Sequence, residues 1–76
     1  MYKADLLKYG WSKDRECHCS GTLEEIYKNP QAPRHTVNIF PDKGKFEIWY
    51  ETKRIQSQSL TELSNYLELT FKNIAL

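Results

Sequence analysis

Residues 35–40 (His-Thr-Val-Asn-Ile-Phe) and 45–50 (Lys-Phe-Glu-Ile-Trp-Tyr) are rich in β-branched and aromatic side chains, and they flank the turn formers Pro41, Asp42, Lys43 and Gly44. Two such runs joined by a short loop of this composition form a β-hairpin. A four-residue loop pairs Phe40 with Lys45, Ile39 with Phe46, Asn38 with Glu47, Val37 with Ile48 and Thr36 with Trp49. Side chains alternate across a strand, so this register gathers Val37, Ile39, Phe46 and Ile48 on one face. The opposite face then carries Thr36, Asn38, Phe40, Lys45, Glu47 and Trp49, which is polar apart from two aromatics.

The apolar face needs a cover, and two helical patterns supply one. Tyr2, Leu6 and Tyr9 recur at helical spacing beside Leu7, and Gly10 follows as a residue able to take the left-handed conformation, so a short helix is expected over residues 3–9. Trp11, one position past that glycine, is placed to fold back onto the last turn near Leu6. Ser59 with Glu62 forms a capping box, and Leu60, Leu63, Leu67, Phe71 and Ile74 recur behind it at three and four residues. Residues 12–20 are polar and read as a loop or an edge strand. Residues 22–28 fit a two-turn helix capped by Thr22 and Glu25, or a strand with Leu23 and Tyr27 on one face; the strand is favoured because so short a helix is marginal. Residues 55–58 read as a last edge strand with Ile55 as its one apolar residue. The expected fold is α+β, a small two-layer domain: a short N-terminal helix, a three- to four-stranded antiparallel sheet, and a C-terminal helix packed on one sheet face.

A length of 76 residues leaves room for one domain. Eleven Lys and Arg against ten Asp and Glu give 11 − 10 = +1, so no global field draws the chain to nucleic acid or membrane. No apolar run approaches the roughly 20 residues that span a bilayer, and the opening residues lack the pattern of a signal peptide, so a cytoplasmic protein is expected. Cys17 and Cys19, one residue apart, would close almost no loop and are expected to be reduced thiols. The terminal Ile74-Ala75-Leu76 either frays or joins a self-association patch, and the state is left open between monomer and homodimer.

Few residues suggest catalysis. Cys17, His18 and Cys19 are ligand types that zinc prefers, and His35 would be a fourth, but on an extended chain His18 points away from the two cysteines and a second cysteine pair is absent. A zinc- or thiol-dependent role is therefore a secondary reading, and no cofactor is expected. Neighbouring Cys and His side chains diverge in a strand, and the chain has no phosphate-binding glycine loop or dinucleotide fingerprint, so an enzyme is not expected. The polar hairpin face, with Thr36, Asn38, Phe40, Lys45 and Trp49, is the candidate binding surface. A protein partner is the leading reading. Aromatics among Lys, Asn and Thr on an open sheet also suit single-stranded RNA, the alternative, although Lys43, Lys45, Lys53 and Arg54 are offset by Asp42, Glu47 and Glu51.

The order helix, strands, helix resembles that of double-stranded-RNA-binding domains. The segment Leu6-Leu7-Lys8-Tyr9-Gly10-Trp11, with Gly21-Thr22 before a strand and Val37 to Pro41 beyond, is similar to small HicA-type toxins. Those toxins carry a Gly-Ser-His whose histidine acts in RNA cleavage, where this chain has Gly21-Thr22-Leu23. The second helix opens Ser59-Leu60-Thr61-Glu62, without the lysines that grip phosphate in double-stranded-RNA-binding domains. The resemblance thus transfers no functional residue.

Overall fold

In the computed structural model, which describes residues 2–18 and 21–71, a helix over Tyr2–Lys8 (α1) precedes five strands and a second helix. The strands are Ser12–Cys17 (β1), Glu24–Lys28 (β2), His35–Phe40 (β3), Lys45–Tyr50 (β4) and Lys53–Ser59 (β5), and the last helix spans Leu63–Phe71 (α2). They form one antiparallel meander in the order β1-β2-β3-β4-β5. The domain is α+β with five strands rather than three or four. The polar run at residues 12–17 has no apolar alternation to mark it, yet it pairs along β2 through its backbone while its side chains stay largely in solvent.

The hairpin adopts the expected register, from Thr36 opposite Trp49 to Phe40 opposite Lys45. Its loop is a 3-10 turn over Pro41–Lys43, closed by Gly44 in the left-handed region at φ 61°. Residues 22–28 resolve as strand over Glu24–Lys28, because pairing with both β1 and β3 supplies hydrogen bonds that an isolated two-turn helix would lack. The two edge strands each carry an irregularity, one residue wide, at Asp14 and at Ile55.

Both helices lie on one face of the sheet. Tyr27, Val37, Ile39, Phe46 and Ile48 of the strands meet Leu6, Trp11, Leu63 and Leu67, and all are buried. Trp11 reaches that position through the end of α1: its N–H donates to the Leu6 carbonyl at 2.9 Å and Gly10 N–H donates to Leu7 at 3.1 Å, with Gly10 at φ 90°. This is a Schellman ending, and it returns the indole to the first turns of the chain. Asn29, itself buried, donates from Nδ2 to the Tyr9 carbonyl and accepts from the Gln31 N–H, so it seals the same helix end. At the start of α2, Ser59 Oγ accepts from the Thr61 N–H and the first turn, Leu60–Glu62, is 3-10. Leu63 and Leu67 bear out the expected stripe, whereas the Phe71 side chain and Ile74, with the rest of the C-terminus, lie outside the described residues.

One carboxylate sits among the apolar residues. Glu25 is buried on the helix-covered face, where Tyr2 Oη donates to Oε1 at 2.9 Å and Tyr27 Oη donates to the same atom at 3.1 Å. The Lys3 ammonium stands 3.9 Å from Oε2. Two hydroxyl donors offset the cost of burying the charge and tie α1 to β2. Burial first, and then the bond to Glu25, pushes the Tyr2 hydroxyl up to about 12, and the same causes raise that of Tyr27. The unfolded chain therefore releases the Tyr2 proton near pH 10 while the folded chain retains it. Stability is held below pH 10 and falls as pH rises toward 12. Urea unfolding across that window is expected to show a shallower loss of stability in Tyr2→Phe than in the parent chain.

Candidate functional site

The face of the sheet away from the helices carries the side chains expected to bind. Thr36, Asn38 and Phe40 of β3 and Lys45 and Trp49 of β4 all lie on it, and each is half-buried. They are less open than an isolated hairpin would leave them, because β2 and β5 flank them on either side.

Glu47 organises this surface. It is 7% exposed, and its carboxylate accepts from Trp49 Nε1 at 3.1 Å through Oε1 and from an Arg54 guanidinium nitrogen at 3.3 Å through Oε2. The Lys45 ammonium stands 3.6 Å from Oε2. Trp49 is thereby held edge-on to a carboxylate. Lys45 also lies over the Phe40 ring, 5.2 Å from its centroid, so one face of that ring is occupied by a cation. Arg54 comes into reach because the irregularity at Ile55 shifts the register, setting Arg54 opposite Trp49.

Next to this cluster is a depression of about 220 Å³ lined by Arg15, Ile26, Thr36, Asn38, Trp49 and Glu51. Four strands and the β4–β5 turn contribute to it. Ile26 forms an apolar floor, 8% exposed although it faces away from the helices. Asn38 donates from Nδ2 to Glu24 Oε2 at 2.6 Å, while its Oδ1 is buried and accepts no hydrogen bond among the described residues. Reversing the amide would set its oxygen against the Glu24 carboxylate, so the assignment follows from the network. No ion pair or side-chain hydrogen bond engages Arg15 among the described residues. Glu51, at the rim, has φ 56°, and its N–H donates to the Arg34 carbonyl at 2.8 Å.

Thr36, Asn38, Phe40, Lys45 and Trp49 share the face that the hairpin register predicts, and Thr36, Asn38 and Trp49 also line the depression with Arg15, Ile26 and Glu51, which the hairpin pattern does not mark. Ile26 carried the one available signal: in the strand reading of residues 22–28, it is an apolar residue on the face opposite Tyr27. The cysteine–histidine set does not converge. Cys17 and His18 lie at one end of the sheet and His35 at the other, where its ring meets Tyr50 edge-on at 5.0 Å. Cys17 is disulfide-bonded, not the reduced thiol expected, so its sulfur is no thiolate ligand in this state. Cys19 lies outside the described residues. His18 is exposed, 3.7 Å from Glu16. Among the described residues no three His, Cys, Asp or Glu side chains gather as a metal site, and no helix is long and apolar enough to cross a membrane.

No family model matches the chain, and no curated protein and no solved structure is significantly similar to it. Leu23, in the Gly21-Thr22-Leu23 segment, is half-buried just before β2.

Glu51 occupies a two-residue hairpin loop in a conformation that suits glycine, and its ion pair with Arg34, 3.6 Å long and exposed, contributes little in return. Glu51→Gly is expected to stabilise the fold by about 1 kcal/mol, read as a higher urea midpoint with an unchanged slope.

Proposed function

We propose that this chain is a small non-catalytic binding protein that docks a protein partner on the open face of its sheet, at the depression beside Glu47. The observation that carries the reading is a buried acceptor without a donor, an exposed cation and an apolar floor brought together in one place. Arg15 has no counter-ion and Asn38 Oδ1 has no donor among the described residues, and both border Ile26 and the Trp49 ring. An unpaired buried acceptor costs about 1–3 kcal/mol, which a partner or water bringing an N–H would recover. A partner segment carrying a carboxylate for Arg15 and an amide donor for Asn38 fits this chemistry, with Trp49 as its aromatic anchor.

Electrostatics support protein over nucleic acid. Glu24, Glu47 and Glu51 lie on or beside the same face and repel phosphate, while Lys45 and Arg54 are already engaged with Glu47. Stacking a base on the covered side of Phe40 would require displacing Lys45.

Affinity capture from cells that express the protein, quantified for the parent chain, Trp49→Ala and Arg15→Glu, tests the reading. A partner held by the parent and weakened at least about tenfold by each substitution, with each variant's amide NMR spectrum still folded, is the expected result. Identical capture by all three overturns it. Titration with single-stranded RNA gives the competing outcome: a Trp49 indole shift that persists at moderate salt would assign the face to nucleic acid instead.

A further inference from the structure

We propose that β5 is a self-association edge, and that two copies of this chain pair their β5 strands antiparallel about a two-fold axis at Ser57. The inference starts from a contrast between the two edges of the sheet. The β1 edge is guarded: Lys13, Asp14, Arg15 and Glu16 are four consecutive charges, and the irregularity at Asp14 interrupts the strand. The β5 edge is open over residues 55–59, Ile-Gln-Ser-Gln-Ser, which carry no charge. Its own irregularity falls at Ile55, so Gln56 to Ser59 pair one for one with Ile48 to Lys45 and leave a regular outer edge. Among the described residues, nothing beyond β4 hydrogen-bonds to the backbone of this strand.

The charge pattern selects the occupant and its direction. Lys53 and Arg54 lie at one end of β5. A second copy laid parallel would set these cations beside their equivalents. Laid antiparallel about Ser57, it pairs Gln56 with Gln58 of the second copy, Ser57 with its equivalent, and Ile55 with Ser59, while the two cation pairs fall at opposite ends beyond the paired segment. Gln56 and Gln58 share the helix-side face, where facing amides can donate and accept across the axis. Ile55, 46% exposed, gains Ser59 of the second copy as a neighbour. Head-to-tail pairing of β5 with β1 of another copy would instead desolvate four charges against Gln and Ser, which disfavours open-ended filaments. One short strand pair is small for an interface, so the dimer is weak and dominated by backbone hydrogen bonds.

Sedimentation equilibrium from micromolar to millimolar concentration tests this. The parent chain is expected to rise toward twice its monomer mass. Ser57→Lys and Ser57→Glu, exposed positions whose folding is checked by amide NMR, are each expected to stay monomeric, because like charges then face each other across the axis. An equimolar mixture of the two is expected to recover the doubled mass. A parent chain monomeric throughout, a single variant that associates as tightly as the parent, or a mixture that stays monomeric overturns the proposal. Arg15→Glu is expected to dimerise like the parent, which keeps this result separate from partner binding on the open face.

Discussion

Register in the β3–β4 hairpin is the constraint on which the rest of the molecule depends. With Val37 opposite Ile48 and Ile39 opposite Phe46, four apolar side chains stand on one side and meet Leu6, Trp11, Leu63 and Leu67. A slip of one residue in β4 would send Phe46 and Ile48 to solvent and bring Glu47 under the helices beside Val37 and Ile39. Because that exchange would bury charge and expose aliphatic surface together, the hairpin has one acceptable pairing. Both helices and the outer strands are arranged around it.

Two buried carboxylates on opposite faces show how the same burial is used in different ways. Glu25 faces the helices, and its charge is met by hydroxyls of Tyr2 and Tyr27, so it acts as a polar tie between the first helix and β2. Glu47 faces away from the helices and is met by Trp49, Arg54 and Lys45, so it fixes the side chains of the candidate binding surface. A buried charge is tolerable when its lone pairs are filled, and each of these glutamates has donors from more than one element. The depression beside Glu47 differs in that the buried Asn38 Oδ1 has no donor among the described residues, and the exposed Arg15 at its edge is in no ion pair among them.

The edges of the sheet follow from the same meander. A five-stranded sheet with nearest-neighbour order necessarily leaves two open strands, and here their chemistry differs. Consecutive charges and a register irregularity protect β1, whereas the uncharged outer half of β5 invites pairing. Sheet face and sheet edge therefore offer two separate surfaces on a chain of 76 residues.

Local pattern by itself determined the hairpin and its register, the first helix with its glycine ending, the return of Trp11 to the core, and the leucine stripe of the second helix. Each rests on spacing between residues close in the chain: period two, period three to four, or a turn residue at a set position. Tertiary structure alone decided that the polar residues 12–17 form a strand, since their pairing comes from the exposed backbone of β2 and not from any alternation of their own. It also decided the make-up of the open face. Arg15 and Ile26 join Asn38 and Trp49 across four strands, and Arg54 reaches Glu47 only after an irregularity that no local pattern marks. Cys17, His18 and His35 are compatible as ligand types in the sequence, but the strand length between them sets them at opposite ends of the sheet. Side-chain periodicity acts over a few residues, while the placing of distant strands depends on every register between them, so the fold was legible and the site only in part.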